Sequence, residues 1–274
     1  MPAPWPSLAD GSRAVVVVLA AVASTGCLDV ATRITVRPDG SGTITQRLLV
    51  STRGLEDALG GLGFKPSGSA SRRTPPNAAD LRTDAGRAGE GVALVSVTPT
   101  TAPDGFEGAE AVYAFRDIRK LRADEFLMPG PAGGGGDSRI AVRFTKTPQG
   151  TSLLALAFDE RPAKKASAGA GPGPQDFSDL GDAKAREMVK TMFRGFKVRL
   201  DLEVEGEVVR TVADHVDGRR ITLLAVDMDA LFADEQALAR LEGTTGAELV
   251  DLRPLLAGID GITVNRPIVK IEFR

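Results

Sequence analysis

The sequence has 274 residues, with 34 Lys and Arg against 36 Asp and Glu, so its formal net charge at pH 7 is −2. This near-neutral balance argues against a nucleic-acid-binding protein, which needs a concentrated basic surface. The chain has one cysteine, which excludes an internal disulfide and leaves stability to the core. Trp5 and Tyr113 are single residues of their types, so a site rich in Trp and Tyr is also excluded.

The N-terminus has the three parts of an export signal. Arg13 supplies a positive charge, residues 14–23 are an unbroken apolar run, and small residues occupy positions 24–26. The run is shorter than the roughly 20 apolar residues of a membrane-spanning helix. Cys27 follows directly, as in bacterial lipoprotein signals, whose cysteine receives diacylglycerol before cleavage. We therefore predict a signal peptide over residues 1–26 and lipidation of Cys27.

Two alternatives to lipidation remain open. Lipoprotein signals usually carry Leu three positions before the cysteine, and this chain has Ser24 there. If Cys27 is not lipidated, the protein is either secreted without an anchor or keeps residues 1–26 as an N-terminal helix. In the lipoprotein interpretation, the diacylglyceryl group on Cys27 holds the protein at the membrane of the cell envelope, in the periplasm or on the outer surface. Two or three acyl chains make such an anchor stable.

The first half of the mature chain is predicted to consist of strands and loops. Apolar and polar residues alternate over residues 29–50 around a turn-forming Pro-Asp-Gly sequence, which predicts a β-hairpin. Ser51 can cap a short helix after it. Further strands are predicted over 92–97, 111–115, 140–145 and 153–158, the last two as a hairpin. Segments rich in Pro, Gly and Ser predict flexible loops near 63–91, 129–138 and 161–176.

The second half has the clearer periodicity. Apolar residues over 185–193 fall on one helical stripe that ends before Gly195. Strict alternation follows and predicts a three-stranded antiparallel meander over residues 198–226, with a turn at Asp217-Gly218. Asp227 or Asp229 can cap one helix that runs to Gly243. A last strand is predicted over 269–273.

Together these elements predict an α+β fold. Its mainly antiparallel β-sheet, built from hairpins and the meander, is covered by two or three amphipathic helices. We assign residues 27–243 to one envelope domain, and residues 244–274 to a strand-containing extension packed on the same domain.

The sequence contains few residues in a spacing that would suit a catalytic or metal site. Asp214, His215 and Asp217 form the one local cluster with metal-like or acid–base character, but His215 is the only histidine, and a zinc site with one histidine and otherwise carboxylates is unusual. No Gly-x-Ser-x-Gly elbow or phosphate-binding loop occurs. We predict a structural role for this cluster, no catalytic residue, no metal site, no cofactor and no enzymatic activity.

Four apolar residues stand out at the junction between the predicted helix and the meander. They are Met188, Met192, Phe193 and Phe196. Met and Phe adapt to irregular apolar ligands, so these residues are the candidate lining of a cleft for acyl chains. The alternative is that they only pack in the core.

Three stretches together resemble the LppM-like family of bacterial envelope lipoproteins. They are the hairpin that follows Cys27, with Arg37-Pro38-Asp39-Gly40-Ser41-Gly42 at its tip, the phrase Phe115-Arg116-Asp117-Ile118, and the block from Met192 to Val226. The resemblance implies a surface or periplasmic lipoprotein with an α+β domain that handles lipids or glycolipids. It supplies no catalytic residues.

The sequence therefore predicts a non-enzymatic, lipid-anchored envelope protein whose domain binds a lipid, a glycolipid or another amphipathic ligand. The alternative is an interaction module or structural protein that binds an envelope protein partner through sheet edges or through the loops at 63–91 and 129–138.

Overall fold

The computed structural model describes residues 27–51, 78–122, 140–158, 187, 190, 193–242, 256 and 258–274. The strands in this part are β1 (Cys27–Val36), β2 (Gly42–Ser51), β3 (Ala93–Ala102), β4 (Phe106–Phe115), β5 (Ile140–Lys146), β6 (Ser152–Phe158), β7 (Lys197–Val204), β8 (Val208–Thr211), β9 (Val216–Asp217), β10 (Arg220–Asp227), β11 (Ile262–Val264) and β12 (Ile268–Phe273). The helices with described bounds are α1 (Ala78–Arg87), α2 (Met228–Ala233) and α3 (Glu235–Glu242). Strands dominate the described residues, so the predicted α+β class is broadly compatible with the structure, and the helices cover only a small part of it.

The strands form a large sheet and a small sheet. The order in the large sheet is β11-β10-β7-β1-β2-β4-β3, with β9 paired to β10, and the order in the small sheet is β5-β6-β12-β8. Strand β1 is the central strand of the large sheet, with three strands on each side. It runs antiparallel to β2 and parallel to β7. The predicted hairpin over residues 29–50 is confirmed, whereas its parallel pairing with β7 was not predicted.

The main hydrophobic core lies between the two sheets. Alternating side chains of the large sheet point into it, as the period-two pattern predicts. The side chains of the small sheet that point into it are almost fully shielded from solvent, which stabilises the fold by roughly 1.5–3 kcal/mol for each large aliphatic or Phe side chain. This large cluster includes Ile34, Val36, Ile44, Tyr113, Phe115, Leu200, Leu202, Val204 and Ile221 of the large sheet and Leu154, Leu156, Val269, Ile271 and Phe273 of the small sheet.

A second, small cluster covers the end of the large sheet where β1 begins. Leu28 and Val30 lie on the same face of β1 as Ile34 and Val36, but they belong to the small cluster. Thr32, only 2% exposed, lies between the two sets. Its register partner on β2 is Gln46, which is also buried. A buried polar pair therefore separates the two apolar clusters along β1.

The opposite face of the large sheet is polar and carries ion pairs between neighbouring strands. Glu203 pairs with both Arg33 (3.6 Å) and Arg220 (3.9 Å), and Arg47 pairs with Asp29 at 3.2 Å. Because most of these side chains are partly exposed, each pair contributes little to stability, on the order of 0–1 kcal/mol. This face is accordingly polar, with partly exposed charged groups, although the Nε atoms of Arg33, Arg47 and Arg220 are shielded from solvent.

The β1–β2 turn is held by hydrogen bonds from the small sheet and from the segment that follows β4. The Ser152 hydroxyl donates a hydrogen bond to the Pro38 carbonyl at 2.7 Å, and Ile118 N–H donates to the Gly40 carbonyl at 2.9 Å. Gly40 has φ 87°, and a Cβ there would collide with the ring of Phe144. The tip of the first hairpin therefore lies next to the β5–β6 turn, at the end of the large sheet opposite Cys27.

The prediction of a flexible loop near 63–91 is wrong for residues 78–87, which the structure describes as a helix. Helix α1 occupies residues 78–87, and Leu81, Ala85 and Ala88 are buried in the large cluster. Two of these three residues are alanines in a segment rich in Arg and Asp, so the apolar stripe was too weak to recognise from composition. The loops predicted near 129–138 and 161–176, and the short helix after Ser51, lie outside the described residues.

The meander predicted over residues 198–226 is also wrong. Strand β10 pairs directly with β7, while β8 leaves this sheet and pairs with β12 of the small sheet. Gly206 permits this departure, because it has φ 129° and a Cβ there would collide with the backbone carbonyl of Arg274. The hairpin predicted at Asp217-Gly218 is confirmed as the short β9–β10 hairpin, whose two turn residues are Gly218 and Arg219. Residue alternation specifies a strand but not the sheet that it joins.

The single helix predicted after Asp227 is two helices. Asp234 has an extended backbone, with φ −98° and ψ 91°, which ends α2. Its carboxylate then accepts a hydrogen bond from Ala237 N–H at 2.9 Å and caps α3. The strands at the C-terminus join both sheets, because β11 pairs with β10 and β12 lies between β6 and β8.

Tyr113 gives a spectroscopic test of the large cluster. Its side chain is 1% exposed, and burial, helped by the negative charge of Asp84, raises the pKa of Tyr113 to about 12 from an ordinary value of 10.0. The neutral phenol therefore stabilises the fold fully below pH 10, and this contribution is lost as the pH rises toward 12. The loss amounts to roughly 2–3 kcal/mol at about 1.4 kcal/mol per pKa unit.

We expect the free-energy advantage of the wild type over Tyr113→Phe to shrink between pH 10 and pH 12. Denaturant unfolding of both proteins across this range measures the difference. Tyrosinate absorbance checks the titration directly, since the chain has a single tyrosine. Ionisation of the folded protein near pH 10 would contradict the prediction.

Candidate functional site

Cys27 is the first residue of β1 and lies in register with Ser51 of β2. The next residues with inward-facing side chains, Leu28 and Val30, are 9% and 1% exposed. The predicted lipidation site is therefore continuous with the central strand. No spacer separates it from the hydrophobic interior.

The small cluster lies directly above this start of β1. Its buried members are Leu28, Val30, Phe193, Phe196, Val198, Met228, Leu231, Ala237, Leu256 and Ile259. The rings of Phe193 and Phe196 meet edge to face, with centroids 6.0 Å apart and planes at 90°. Aromatic pairs favour this arrangement because the positive ring edge faces the negative ring face.

Backbone hydrogen bonds join the two segments that carry these side chains. Gly195, with φ 72°, ends the helical segment that contains Phe193 and turns the chain toward β7. Its N–H donates to the Asp229 carboxylate at 2.9 Å, and Met228 N–H donates to the Phe196 carbonyl at 3.0 Å. The start of α2 is thereby tied to the start of β7 beside the cluster.

Asp227 is the polar centre of this arrangement. One carboxylate oxygen accepts hydrogen bonds from Asp229 N–H (3.0 Å) and Ala230 N–H (3.3 Å) and caps α2, and the other lies 2.7 Å from Lys197 Nζ. Burial acts to raise the pKa of Asp227, but the hydrogen bond and charge of Lys197 and the two amide groups outweigh it, so this pKa lies below its ordinary value. The same hydrogen bond to Asp227 raises the pKa of Lys197.

The structure brings together half of the predicted cleft residues. Phe193 and Phe196 are 6% and 8% exposed and contribute to the small cluster. Met188 and Met192 lie outside the described residues. Five further members of the small cluster were not predicted as site residues from the sequence, namely Met228, Leu231, Ala237, Leu256 and Ile259. The apolar positions of α2 and α3 were visible in the sequence, but their packing against Phe193 and Phe196 depends on the tertiary structure.

Hydrogen bonds join the Asp214–His215 segment to neighbouring parts of the fold. Arg266 Nε donates to the Asp214 carboxylate at 2.6 Å, and Asp214 N–H donates to the side-chain carbonyl of the buried Asn265 at 3.1 Å. His215 is exposed, and its carbonyl accepts a hydrogen bond from Thr222 N–H. These contacts fit the structural role predicted for the segment.

The part of the chain that the structure describes contains neither a cluster of metal-binding side chains nor a helix that could cross a membrane. Among those residues, no three His, Cys, Asp or Glu side chains are grouped as a metal site requires. None of the helices found there combines the length and the apolar character needed to cross a bilayer.

Comparisons with known proteins give one structural likeness. No family model matches the chain, and no match was found among the curated proteins. Among solved structures, the chain is similar to the NMR structure of the folded domain of LppM from Mycobacterium tuberculosis, with 11% identity, 91% of each chain covered and a TM-score of 0.35. So low a TM-score does not establish a shared fold, and membership of the LppM-like family stays a prediction.

Replacing Asp227 tests how the site is held together. Asp227→Ala removes the cap and the partner of Lys197, and we expect it to lower the free energy of unfolding by about 1–2 kcal/mol near neutral pH. Because the folded pKa of Asp227 is depressed, its stabilisation is present above 3.8 and is lost as the pH falls through the folded pKa. The gap between wild type and Asp227→Ala should therefore narrow in acid.

Denaturant unfolding at neutral and acidic pH measures this gap. Asp227→Asn is the matched control, because asparagine also caps helices but carries no charge for Lys197. It should lose less stability than Asp227→Ala. A gap that stays constant into acid would contradict the assignment.

Proposed function

We propose that this protein is a non-enzymatic, lipid-anchored protein of the bacterial envelope whose β-rich domain binds a lipid or another amphipathic ligand through the small cluster. One observation carries the proposal. The cysteine that follows the predicted export signal continues without a spacer into β1, and the first inward side chains of that strand belong to the cluster that contains Phe193 and Phe196.

The composition of the cluster supports a ligand with acyl chains. Its members are aliphatic side chains, two phenylalanines and Met228, and methionine in particular fills irregular apolar space. The helices that cover it are short, with α2 of six residues and α3 of eight. A cover built from short elements can open at lower free energy than the interior between two sheets.

Lipidation is tested by removing the thiol. We expect Cys27→Ser to abolish acylation and move the protein from the membrane fraction to the soluble fraction, because membrane binding depends on the acyl chains. Cell fractionation and the intact mass of the N-terminal peptide measure both effects. Ser24→Leu is the control, since it supplies the usual residue of a lipoprotein signal and should preserve acylation. Membrane association of Cys27→Ser equal to that of the wild type would refute the anchor.

Ligand binding is tested by filling the small cluster. Ala237 is 0% exposed within it, and Ala237→Leu adds apolar volume where an acyl chain would lie. Ala111→Leu is the matched control, because Ala111 is 3% exposed in the large cluster and overpacking costs a similar 1–3 kcal/mol, roughly, at either site. We expect lipid per protein to fall several-fold in Ala237→Leu and to stay unchanged in Ala111→Leu.

Organic extraction of the full chain, purified from its native host and analysed by mass spectrometry, measures the lipid. Equal loss in both variants would indicate a general packing defect. A wild-type protein without lipid would reject the binding proposal and favour the alternative function.

The alternative is a module that binds another envelope protein, and strand β3 is the feature that favours it. Among the described strands, β3 is an edge of the large sheet, and its ten residues contain no charge. Val95 on this strand is 63% exposed. Uncharged edge strands can add a strand from a partner, although Pro99 lacks the N–H that continuous pairing uses. A reproducible crosslinked partner that is lost in Val95→Lys would support this function.

A further inference from the structure

The end of the large sheet where β1 begins is formed by neighbouring strands on both sides of Cys27. On one side, Ser51 pairs with Cys27 and with Phe106, which follows the turn Pro103–Gly105. On the other side, Asp29 pairs with Lys197, which in turn pairs with Asp227. We call this surface the anchor end.

Cys27 lies in the middle of the anchor end. Three strands lie on each side of β1 in the order of the large sheet, and neighbouring strands are about 4.8 Å apart. The strands β4 and β10, each two positions from β1, therefore span roughly 19 Å across the attachment point. If the domain tilts within the sheet plane, one of these flanks moves into the bilayer.

Because no spacer separates Cys27 from the sheet, the orientation of the domain relative to its anchor is restricted. A flexible linker of n residues spans roughly 5–6 Å × √n and lets a domain tumble freely above its anchor. Here the cysteine backbone is already paired in the sheet, and Leu28 is already packed in the small cluster. Only the bonds of the modified side chain separate the acyl chains from the folded domain.

We propose that the anchor end rests on the lipid surface and that the β1–β2 turn points away from it. This inference rests on the proposed lipidation of Cys27. Strand β1 has ten residues, so the two ends of the sheet are separated by roughly 30 Å at about 3.3 Å per residue. The small cluster then lies beside the bilayer, where an acyl chain can enter it without crossing water.

We assign this orientation to the covalent attachment, because two of the described cations near the anchor end are held in ion pairs. Near the anchor end, Lys197 pairs with Asp227 and Arg47 pairs with Asp29. These paired charges offer little attraction to anionic lipids. The orientation should therefore persist at high salt and on vesicles of neutral phosphatidylcholine, whereas electrostatic docking would weaken as salt screens the charges.

The experiment uses the acylated full chain in phosphatidylcholine vesicles that carry an energy acceptor on the headgroups. Because the thiol of Cys27 is blocked by acylation, a single introduced cysteine can be labelled with a donor. Thr101→Cys places the donor at the exposed anchor end, and Gln149→Cys places it on the exposed β5–β6 turn near Pro38. We expect several-fold greater transfer from position 101 than from position 149, at low and high salt alike.

A matched protein carries a flexible Gly-Ser linker between Cys27 and Leu28. This linker should bring the two transfer efficiencies close together while acylation is retained. Equal transfer from both positions on the acylated protein without the linker would overturn the orientation and leave the anchor intact. An N-terminal peptide without acyl chains would overturn the anchor itself, and the orientation with it.

Discussion

The fold depends on the central position of β1. Its inward side chains contribute to both hydrophobic clusters. Leu28 and Val30 at one end belong to the small cluster, and Ile34 and Val36 at the other end belong to the large cluster. It pairs with β2, its neighbour in sequence, and with β7, which lies about 170 residues further along the chain. The parallel pairing with β7 joins the two halves of the chain in one sheet. Strand β7 also contributes to both clusters, through Val198 in the small one and Leu200, Leu202 and Val204 in the large one.

The two clusters differ in how they are enclosed, and the proposed ligand site lies in the small one. The large cluster is enclosed by two sheets, and side chains such as Val269 and Ile271 are fully buried in it. The small cluster is covered by short helices and by a turn held through Asp227 and Asp229. Thr32 and Gln46 lie between them. A ligand could reorganise the small cluster while the packing between the sheets is preserved, because the two clusters share few apolar side chains.

The proposed anchor and the proposed ligand site lie at the same end of the molecule. In that arrangement, the covalent acyl chains enter the bilayer and the small cluster lies beside it. The charged face of the large sheet, with Arg33, Arg47 and Arg220 near carboxylates, then faces the aqueous phase. The edge strand β3 lies at the side of the sheet, where a strand of a protein partner could pair with it.

Local signals in the sequence determined the first hairpin, the β5–β6 hairpin, the hairpin at Asp217-Gly218 and a helix start at Asp227 or Asp229, because each depends on residues close together in the chain. The candidate residues Phe193 and Phe196 were also visible there. The export signal and Cys27 remain sequence predictions. Only the tertiary structure decided that β8 leaves β7 for β12, that alanine-rich α1 is buried, and that Met228, Leu231 and Ala237 surround the two phenylalanines. Alternation and periodicity specify which face of an element is apolar, whereas the partner of that face is chosen by long-range packing.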